Sequence, residues 1–349
     1  MKVNFSSFLL TDGLIYASVA VAAVLAAGQL LTGELSFSGA LMVLLLSFGF
    51  FGSVRQLMNA THSALAGVSA ADKVEKLLSI DTTRPYRPGL PREKDFLDGI
   101  RLEHVSFGYQ GRQAALRDVS LDVPRGKSVA LVGLSGSGKS TIASLLMRFY
   151  DLEQGRILLE GWDYTSFPPE ELRKRVILVP QSVSLFSGTI AENLRMAAPN
   201  ATNADLLGAL DQVRLGDWVR AQPLGLETPV GDSGGKLSGG QRQKLGIARA
   251  LLCRAEYLIF DEATSSVDME SEREIWNCIE ELAQTRTLVL ISHRLSTIRS
   301  ADVIYVLENG AIAQQGSHGE LMEEPGLYRR LVEEQAQLER KGEEGLCHV

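Results

Sequence analysis

A glycine-rich loop directly follows a short aliphatic run near the middle of this chain, and together they leave few folds open. Ser128–Val132 is made of small, β-branched and aliphatic residues, as is typical of a buried parallel strand. The next residues, Gly133–Thr141, match the pattern GxxxxGK(S/T), and an amphipathic helix is predicted from about Ser140 to Phe149. A strand, this loop and a helix in this order predict an α/β fold with a phosphate-binding loop.

The loop residues suit the binding of a nucleoside triphosphate. Glycines let the backbone curl so that successive N–H groups point at phosphate oxygens, and the N-terminus of the following helix adds partial positive charge. We expect Lys139 to reach the β- and γ-phosphates of ATP and the Ser140 hydroxyl to ligate Mg²⁺. A chance match arises in roughly one chain per hundred of this length, which disfavours an accidental glycine-rich turn. The other predicted ATP-binding residues of the loop are Gly133, Ser135, Gly136, Ser137, Gly138 and Thr141.

Two adjacent carboxylates end a second apolar run, Tyr257–Phe260. An aspartate at the end of a neighbouring buried strand helps to hold Mg²⁺ in proteins with such a loop, and Asp261 fits that place. Glu262 lies where a carboxylate can accept a proton from an attacking water. An isolated pair of acids would be interpreted as a solvated strand end. The apolar run and the phosphate loop favour the catalytic interpretation.

A third motif lies between these two. Leu237–Gln241 reads LSGGQ and precedes a helix-like run, Arg242 to Leu252; serine and glycine at a helix start are suited to binding an anion. With the motifs in this order, the chain resembles the ATP-binding-cassette (ABC) family over about residues 98 to 340. The resemblance implies a P-loop NTPase domain with a helical subdomain, in which this signature contacts the ATP of a partner domain. The signature residues are Leu237, Ser238, Gly239, Gly240 and Gln241.

The same resemblance implies roles for four further residues. Tyr109 matches the aromatic residue that stacks on adenine, and Gln181 matches the glutamine that senses Mg²⁺ and the membrane domain. Asp268 matches the loop that couples two active sites, and His293 matches the histidine that contacts the γ-phosphate. A histidine at a strand end is more often structural, but its place after the predicted strand Thr287 to Ile291 favours the catalytic role.

The N-terminal part of the chain is strongly apolar. Gly13–Gly33 and Leu35–Val54 contain no charged residue, and each is close to the roughly 20 residues that cross a bilayer as a helix. The turn-like Thr32–Glu34 between them predicts a helical hairpin. The nearby positive residues lie outside the apolar runs, at Lys2, Arg55, Lys73 and Lys76. The positive-inside rule therefore predicts a multi-pass protein of the cell membrane with both ends of the hairpin in the cytoplasm.

Two other interpretations of the hairpin are disfavoured. A buried hairpin of a soluble protein is disfavoured because neither helix has a polar face. A signal peptide is suggested by Lys2 and Ala26-Ala27, but it would export an ATPase to a place without ATP. Asp12 is expected to lie at the membrane interface, where a carboxylate costs little, rather than on a substrate path.

The pattern after the hairpin predicts the domain boundaries. The second helix is expected to continue into the cytoplasm, so the partial transmembrane domain covers 1–80. Three prolines between Asp81 and Pro91 predict a linker, 81–97. The ABC nucleotide-binding domain is then expected at 98–340, followed by a C-terminal tail at 341–349.

Further resemblances point to an exporter. The hairpin is similar to the last two helices of an exporter half, which implies four further membrane helices upstream of Met1, and hence a truncated reading frame or a fragment that needs other chains. Val230–Gly234 occupies the position of an exporter-type loop, with Asp232 where the familiar form has glutamate. Ala70–Lys73 and Gly216–Val219 resemble bacterial exporters of the cysteine and glutathione type.

Composition argues against several classes of function. A net charge of −7 and a pI near 5.4 oppose a nucleic-acid partner. Three widely spaced cysteines without a CxxC pair indicate neither disulfides nor a zinc site. We expect an ATP-hydrolysing exporter subunit whose partners are a second nucleotide-binding domain, in a homodimer or heterodimer, the lipid bilayer and a substrate that the sequence does not identify. The alternatives are an ABC ATPase of DNA repair or translation, which the hairpin opposes, and a catalytically silent subunit, which the intact motifs oppose.

Overall fold

The computed structural model describes residues 2–79, 98–109, 111, 113–264, 267–292 and 298–346. The chain divides into two compact units, Met1–Arg84 and Pro85–Val349. The predicted linker, 81–97, lies outside the described residues.

The N-terminal unit is a helical hairpin, α1 (Lys2–Leu31) and α2 (Phe37–Leu78), whose helices pack against each other. Gly33 has a φ of +76° in the turn, and Ser36 caps α2 by accepting a hydrogen bond from the Gly39 N–H at 3.2 Å. The hairpin therefore forms with its turn at the predicted place.

The two helices differ in how well they suit a membrane. Within the described residues, Gly13–Leu31 is long and apolar enough to span a bilayer, with a mean hydropathy of 2.1. In α2 the apolar stretch Phe37–Phe50 is shorter than a span. Only 6% of the first stretch is buried, unlike a core helix of a soluble protein. One membrane span is thus supported by length and composition, and the second stays a prediction.

The described residues of the second unit form two sheets. An antiparallel sheet has the order β2-β1-β4-β5, and a six-stranded sheet has the order β10-β9-β3-β8-β7-β6, parallel except at its β10 edge. The strands are β1 (Gly99–Gly108), β2 (Ala114–Pro124), β3 (Ser128–Val132), β4 (Gln154–Leu159), β5 (Trp162–Asp163), β6 (Val176–Val179), β7 (Tyr257–Asp261), β8 (Thr287–Ile291), β9 (Val303–Glu308) and β10 (Ala311–Gly316).

The helices of this unit cover the larger sheet and form a separate layer beside it. They are α3 (Lys139–Leu146), α4 (Pro169–Arg175), α5 (Ile190–Arg195), α6 (Asn203–Gln212), α7 (Gly216–Arg220), α8 (Gly239–Leu252), α9 (Met269–Ala283), α10 (His318–Glu323) and α11 (Leu327–Leu346), with short 3₁₀ turns at Tyr164–Ser166, Gly225–Glu227 and Asp232–Gly234. The last helix covers 341–346 of the predicted tail.

The core lies on both faces of the parallel strands. In β7, Leu258 and Phe260 pack in one apolar cluster with residues of α5, α6 and α8, whereas Tyr257 and Ile259 pack in another with α3 and the antiparallel sheet. Side chains that alternate between two buried faces explain why the strand sequence is apolar throughout. Because β3 and β7 both run parallel to β8, the segments that follow their carboxyl ends meet at one edge of the sheet.

Two predicted helix boundaries differ from the structure. The helix after the phosphate loop ends at Leu146 rather than Phe149. The signature helix α8 begins at Gly239 rather than Arg242, because Ser238 and Gln241 form a capping box that satisfies backbone groups of its first turn. The three signature residues Gly239–Gln241 are therefore helical.

Candidate nucleotide-binding site

The loop after β3 closes around the side chain of Lys139. Its Nζ donates hydrogen bonds to the carbonyl oxygens of Gly133 at 2.7 Å and Leu134 at 3.0 Å, and lies 3.5 Å from Ser137 Oγ. Gly138 has a φ of +107°, and a Cβ there would lie 2.6 Å from Leu116 Cδ2. Because only glycine adopts this backbone conformation without a clash, Gly138 allows the chain to turn into α3 directly before Lys139.

Burial and charge act in opposite directions on that lysine. Lys139 is only 5% exposed, and burial lowers the pKa of its ammonium group from the ordinary value of 10.5. The negative charges of Glu262 and Asp261 act in the other direction and raise this pKa. The ammonium is thus in a partly desolvated place beside two carboxylates, where a phosphate would favour its charged form.

The acidic end of β7 lies beside the first turn of α3. Ser140 Oγ donates a hydrogen bond to Asp261 Oδ1 at 3.2 Å. A hydroxyl and a carboxylate are oxygen ligands of the kind that Mg²⁺ prefers. The structure therefore brings together the two residues that were predicted from separate motifs as metal ligands, and their donor atoms fit this ion.

Glu262 follows Asp261 with an unusual backbone conformation. Its φ is +49°, in the left-handed region that residues other than glycine rarely adopt. Its N–H donates a hydrogen bond to the Ile291 carbonyl at 2.8 Å, which continues the pairing between β7 and β8 for one more residue. Strained conformations of this kind occur often at functional sites, because the surrounding structure must hold them.

The remaining residues of the loop differ in exposure. Ser135 and Gly136 face solvent, whereas Gly133, Ser137 and Thr141 are buried. The exposed backbone at Ser135 and Gly136 is accessible to a ligand.

Three of the four residues assigned by family resemblance lie within the described part of the chain. Tyr109 follows β1, and its hydroxyl lies 3.4 Å from Thr141 Oγ1. Gln181 is exposed, two residues after the end of β6. Asp268 caps α9, and the hydrogen bond that it accepts from the Ser271 N–H lowers the pKa of its carboxyl group. His293 lies outside the described residues.

The signature and the predicted coupling residue are in close proximity. A Cβ on Gly240 would lie 2.4 Å from Cβ and Oγ of Ser271 and 3.8 Å from Asp268 Oδ2. The first turn of α8 thus packs directly on the first turn of α9. Leu237 is buried just before this turn.

Sequence reasoning missed how α8 holds the segment 180–184, which contains Gln181. Gln243 Nε2 donates to the Pro180 carbonyl at 3.1 Å, and Arg249 Nη1 donates to the Ser184 carbonyl at 2.8 Å. Between them, a Cβ on Gly246 would lie 2.4 Å from Val183 Cγ2. Positions 243, 246 and 249 are three residues apart, and this spacing could have indicated that they share one face of α8.

The exporter-type loop is joined to the same segment. Ser187 Oγ donates to Asp232 Oδ1 at 3.0 Å, and the Val230 N–H donates to the Gly188 carbonyl at 2.9 Å. Asp232, which stands where the familiar form has glutamate, therefore accepts a hydrogen bond from a residue of the same domain.

The contact between α8 and α9 leads to a prediction about stability. Gly240→Ala is expected to lower the free energy of unfolding by about 1–3 kcal/mol, because the new methyl group overlaps Ser271. Gly208→Ala, in the middle of α6 with open space around it, is the matched control and should be neutral or stabilising. Thermal unfolding of the detergent-solubilised chain measures both. Equal midpoints for the two variants would contradict the close contact.

Comparison with known proteins identifies similar chains. Residues 116–265 match a family described as ABC transporter. A Photobacterium profundum protein named ATP-dependent lipid A-core flippase is 41% identical over 316 residues, covering 90% of this chain and 54% of that protein. A Bacillus subtilis protein named for multidrug export, the ATP-binding/permease protein YgaD, is 40% identical over 282 residues, covering 80% of this chain and 49% of that protein.

A solved structure is similar as well. The structure of a bacterial Atm1-family ABC exporter with ATP bound superposes with a TM-score of 0.68 at 33% identity, covering 94% of this chain and 58% of that chain. The chain spans about half the length of the curated relatives it matches. These comparisons do not bear on the resemblance to cysteine and glutathione exporters, which stays a prediction.

Proposed function

Because this chain carries the ATP-binding domain of the ABC transporter family, in the form found in exporters, we propose that it hydrolyses ATP to drive export across a membrane. The sequence-based prediction of the family is confirmed by the matched domain and by relatives that are named as transporters. The observation that best supports the proposed ATPase site is the contact of Ser140 with Asp261 beside the buried Lys139.

We assign the residue roles from the motifs and from the family resemblance. Lys139 binds the β- and γ-phosphates, Ser140, Gln181 and Asp261 hold Mg²⁺, and Tyr109 stacks on the adenine. When bound, Mg²⁺ neutralises the charge on the phosphate oxygens. Glu262 accepts a proton from a water molecule while the oxygen of that water forms a bond to the γ-phosphorus.

The reaction balances without a further reactant. The bond between the γ-phosphorus and the oxygen that bridges to the β-phosphate breaks, and ADP keeps that electron pair as the leaving group. Inorganic phosphate leaves with the oxygen of the water. His293, as the family resemblance implies, holds the γ-phosphate while negative charge develops.

A second nucleotide-binding domain completes the site. Ser238, Gly239 and Gly240 of one domain cover the γ-phosphate bound by the other, in a head-to-tail homodimer or heterodimer. The close packing of Gly240 on Ser271, next to Asp268, supports a coupled response, because the signature of one site and the coupling residue lie on helices in direct contact. Closure of the dimer then depends on ATP, and hydrolysis reopens it.

The membrane part sets the location and the class of cargo. The helix Gly13–Leu31 supports a membrane location. The sequence-based prediction adds a second crossing by α2 and a nucleotide-binding domain in the cytoplasm. The relatives' names, a lipid A-core flippase and a multidrug export protein, favour a lipid or a drug as the exported substrate.

Membrane fractionation and an ATPase assay test the proposal together. We expect the chain to pellet with membranes and, after reconstitution into lipid nanodiscs, to release phosphate from ATP in the presence of Mg²⁺ but not of EDTA. A chain found in the soluble fraction with DNA or ribosomes would support the non-transport alternative. A membrane-bound chain that binds ATP without hydrolysing it would support the silent-subunit alternative.

A further inference from the structure

Three aromatic rings meet beside the phosphate loop. The ring of Tyr109 lies 5.1 Å from that of Phe107 and 5.2 Å from that of Tyr150, with interplanar angles of 85° and 90°. The rings of Phe107 and Tyr150 lie 5.5 Å apart and close the triangle. Phe107 and Tyr109 belong to β1 and its end, whereas Tyr150 comes from a distant part of the chain.

Tyr150 connects this cluster to the phosphate-binding element. It lies four residues after the end of α3, the helix that begins at Lys139. The Tyr109 hydroxyl also lies 3.4 Å from Thr141 Oγ1 in the first turn of that helix. Tyr109 therefore contacts both the first turn of the helix that presents the lysine and the segment that follows this helix, and these contacts restrain the aromatic ring relative to the phosphate loop.

The interplanar angles between the three rings bear on how a ligand can stack on Tyr109. Phe107 and Tyr150 both stand nearly perpendicular to Tyr109, an arrangement that is favourable for aromatic pairs. A stacked purine lies parallel to the aromatic ring, and neither of these two rings is parallel to Tyr109. Because Phe107 and Tyr150 lie only 5.5 Å apart, both are on the same side of the Tyr109 ring, and neither covers its opposite face. The cluster can thus hold the Tyr109 ring in place while that face is left for a stacked base.

We propose that Tyr150 is a positioning residue for the adenine base, which it orients by holding the ring of Tyr109. This inference rests on the proposed function, in which Tyr109 stacks on adenine. Tyr109 follows the end of a strand, so without its neighbours the ring would lose rotamer freedom on binding the nucleotide. Prior ordering by Tyr150 removes that cost, and it affects only ligands that carry a base.

Tyr150→Leu is the variant that tests the role, in the full chain reconstituted into nanodiscs. We expect its affinity for Mg-ATP to fall about 3- to 10-fold, and its affinity for inorganic tripolyphosphate, which has no base, to stay unchanged. The KM for ATP should rise by the same factor with kcat unchanged, because the interaction is equal in the ground state and the transition state. Tyr150→Phe keeps the ring and should restore the parent affinity.

Phe149→Leu is the matched control. Phe149 is 42% exposed against 43% for Tyr150, but its ring lies under the Arg173 guanidinium at 5.4 Å. We expect this variant to bind both ligands like the parent chain. Tyr150→Met, with a flexible apolar side chain, is a second variant to use if Tyr150→Leu does not fold.

The outcomes separate this inference from the proposed function. If the Tyr150 variants lose affinity for ATP and for tripolyphosphate equally, Tyr150 has a general structural role and the inference is overturned. Unchanged ATP affinity would overturn it as well, as would an equal effect of Phe149→Leu. If the parent chain binds neither ligand, the proposed function itself fails. If the parent chain binds ATP and Lys139→Met does not, the proposed function is supported, independently of the result for the Tyr150 variants.

Discussion

Glu262→Gln is expected to lower the rate of ATP hydrolysis about 100-fold or more, with ATP affinity within about threefold of the parent chain. The amide has the size of the carboxylate but accepts no proton from water at neutral pH, and a general base contributes a factor of about 10²–10⁴. The proposed nucleotide-binding residues Lys139, Ser140 and Asp261 are unchanged in this variant and should still bind ATP. The ATP-bound dimer should therefore accumulate, because the step that reopens it is blocked.

Phosphate release and equilibrium ATP binding measure the two halves of this prediction, and size-exclusion chromatography with ATP detects the dimer. Glu256→Gln is the matched control, since Glu256 directly precedes β7 whereas Glu262 directly follows it. Its hydrolysis rate should equal that of the parent chain. Hydrolysis by Glu262→Gln at a rate near the parent's would show that another group accepts the proton.

Lys139→Met is expected to weaken ATP binding about 100-fold or more. Hydrogen bonds from a charged donor contribute about 1.5–3 kcal/mol each, and the ammonium is expected to contact two phosphates. Methionine keeps an unbranched apolar side chain, one atom shorter, without the charge or the donors. Isothermal titration calorimetry with Mg-ATP measures the loss, and hydrolysis should fall with it.

The folded chain without nucleotide should tolerate this change. Burial holds the pKa of Lys139 below the value of 10.5 for an unfolded chain, so the folded state keeps this ammonium charged at a cost. Its replacement is expected to leave the unfolding midpoint within about 4 °C of the parent's. Lys127→Met, before the opposite end of β3, is the matched control and should bind ATP normally. Normal ATP binding by Lys139→Met would overturn the predicted phosphate site.

The central strands were predictable because each is a short aliphatic run buried on both faces. Ser128–Val132 and Thr287–Ile291 form with the predicted bounds, and the strand predicted at Tyr257–Phe260 extends one residue further, to Asp261. The antiparallel sheet was not predicted. Its first strand has register shifts after Leu102 and a φ of +50° at His104, which disturb the alternation of side chains that would reveal it.

The limits of local information are clearest at the signature. The start of α8 depends on a reciprocal capping bond between Ser238 and Gln241, a pattern that was present in the sequence but was not used. The contact of Gly240 with Ser271 could not be inferred in this way, because the two residues are distant in the chain and meet only when α8 and α9 pack.

The order of residues alone specified the phosphate loop, the acidic strand end and the central strands, because each depends on neighbours a few positions away. It did not specify that Ser140 bonds to Asp261, that Gly240 packs on α9 or that Tyr150 reaches Tyr109. Those contacts join segments separated by many residues. They exist because burial of the apolar strand faces brings the segments together, and the geometry of that packing sets their distances.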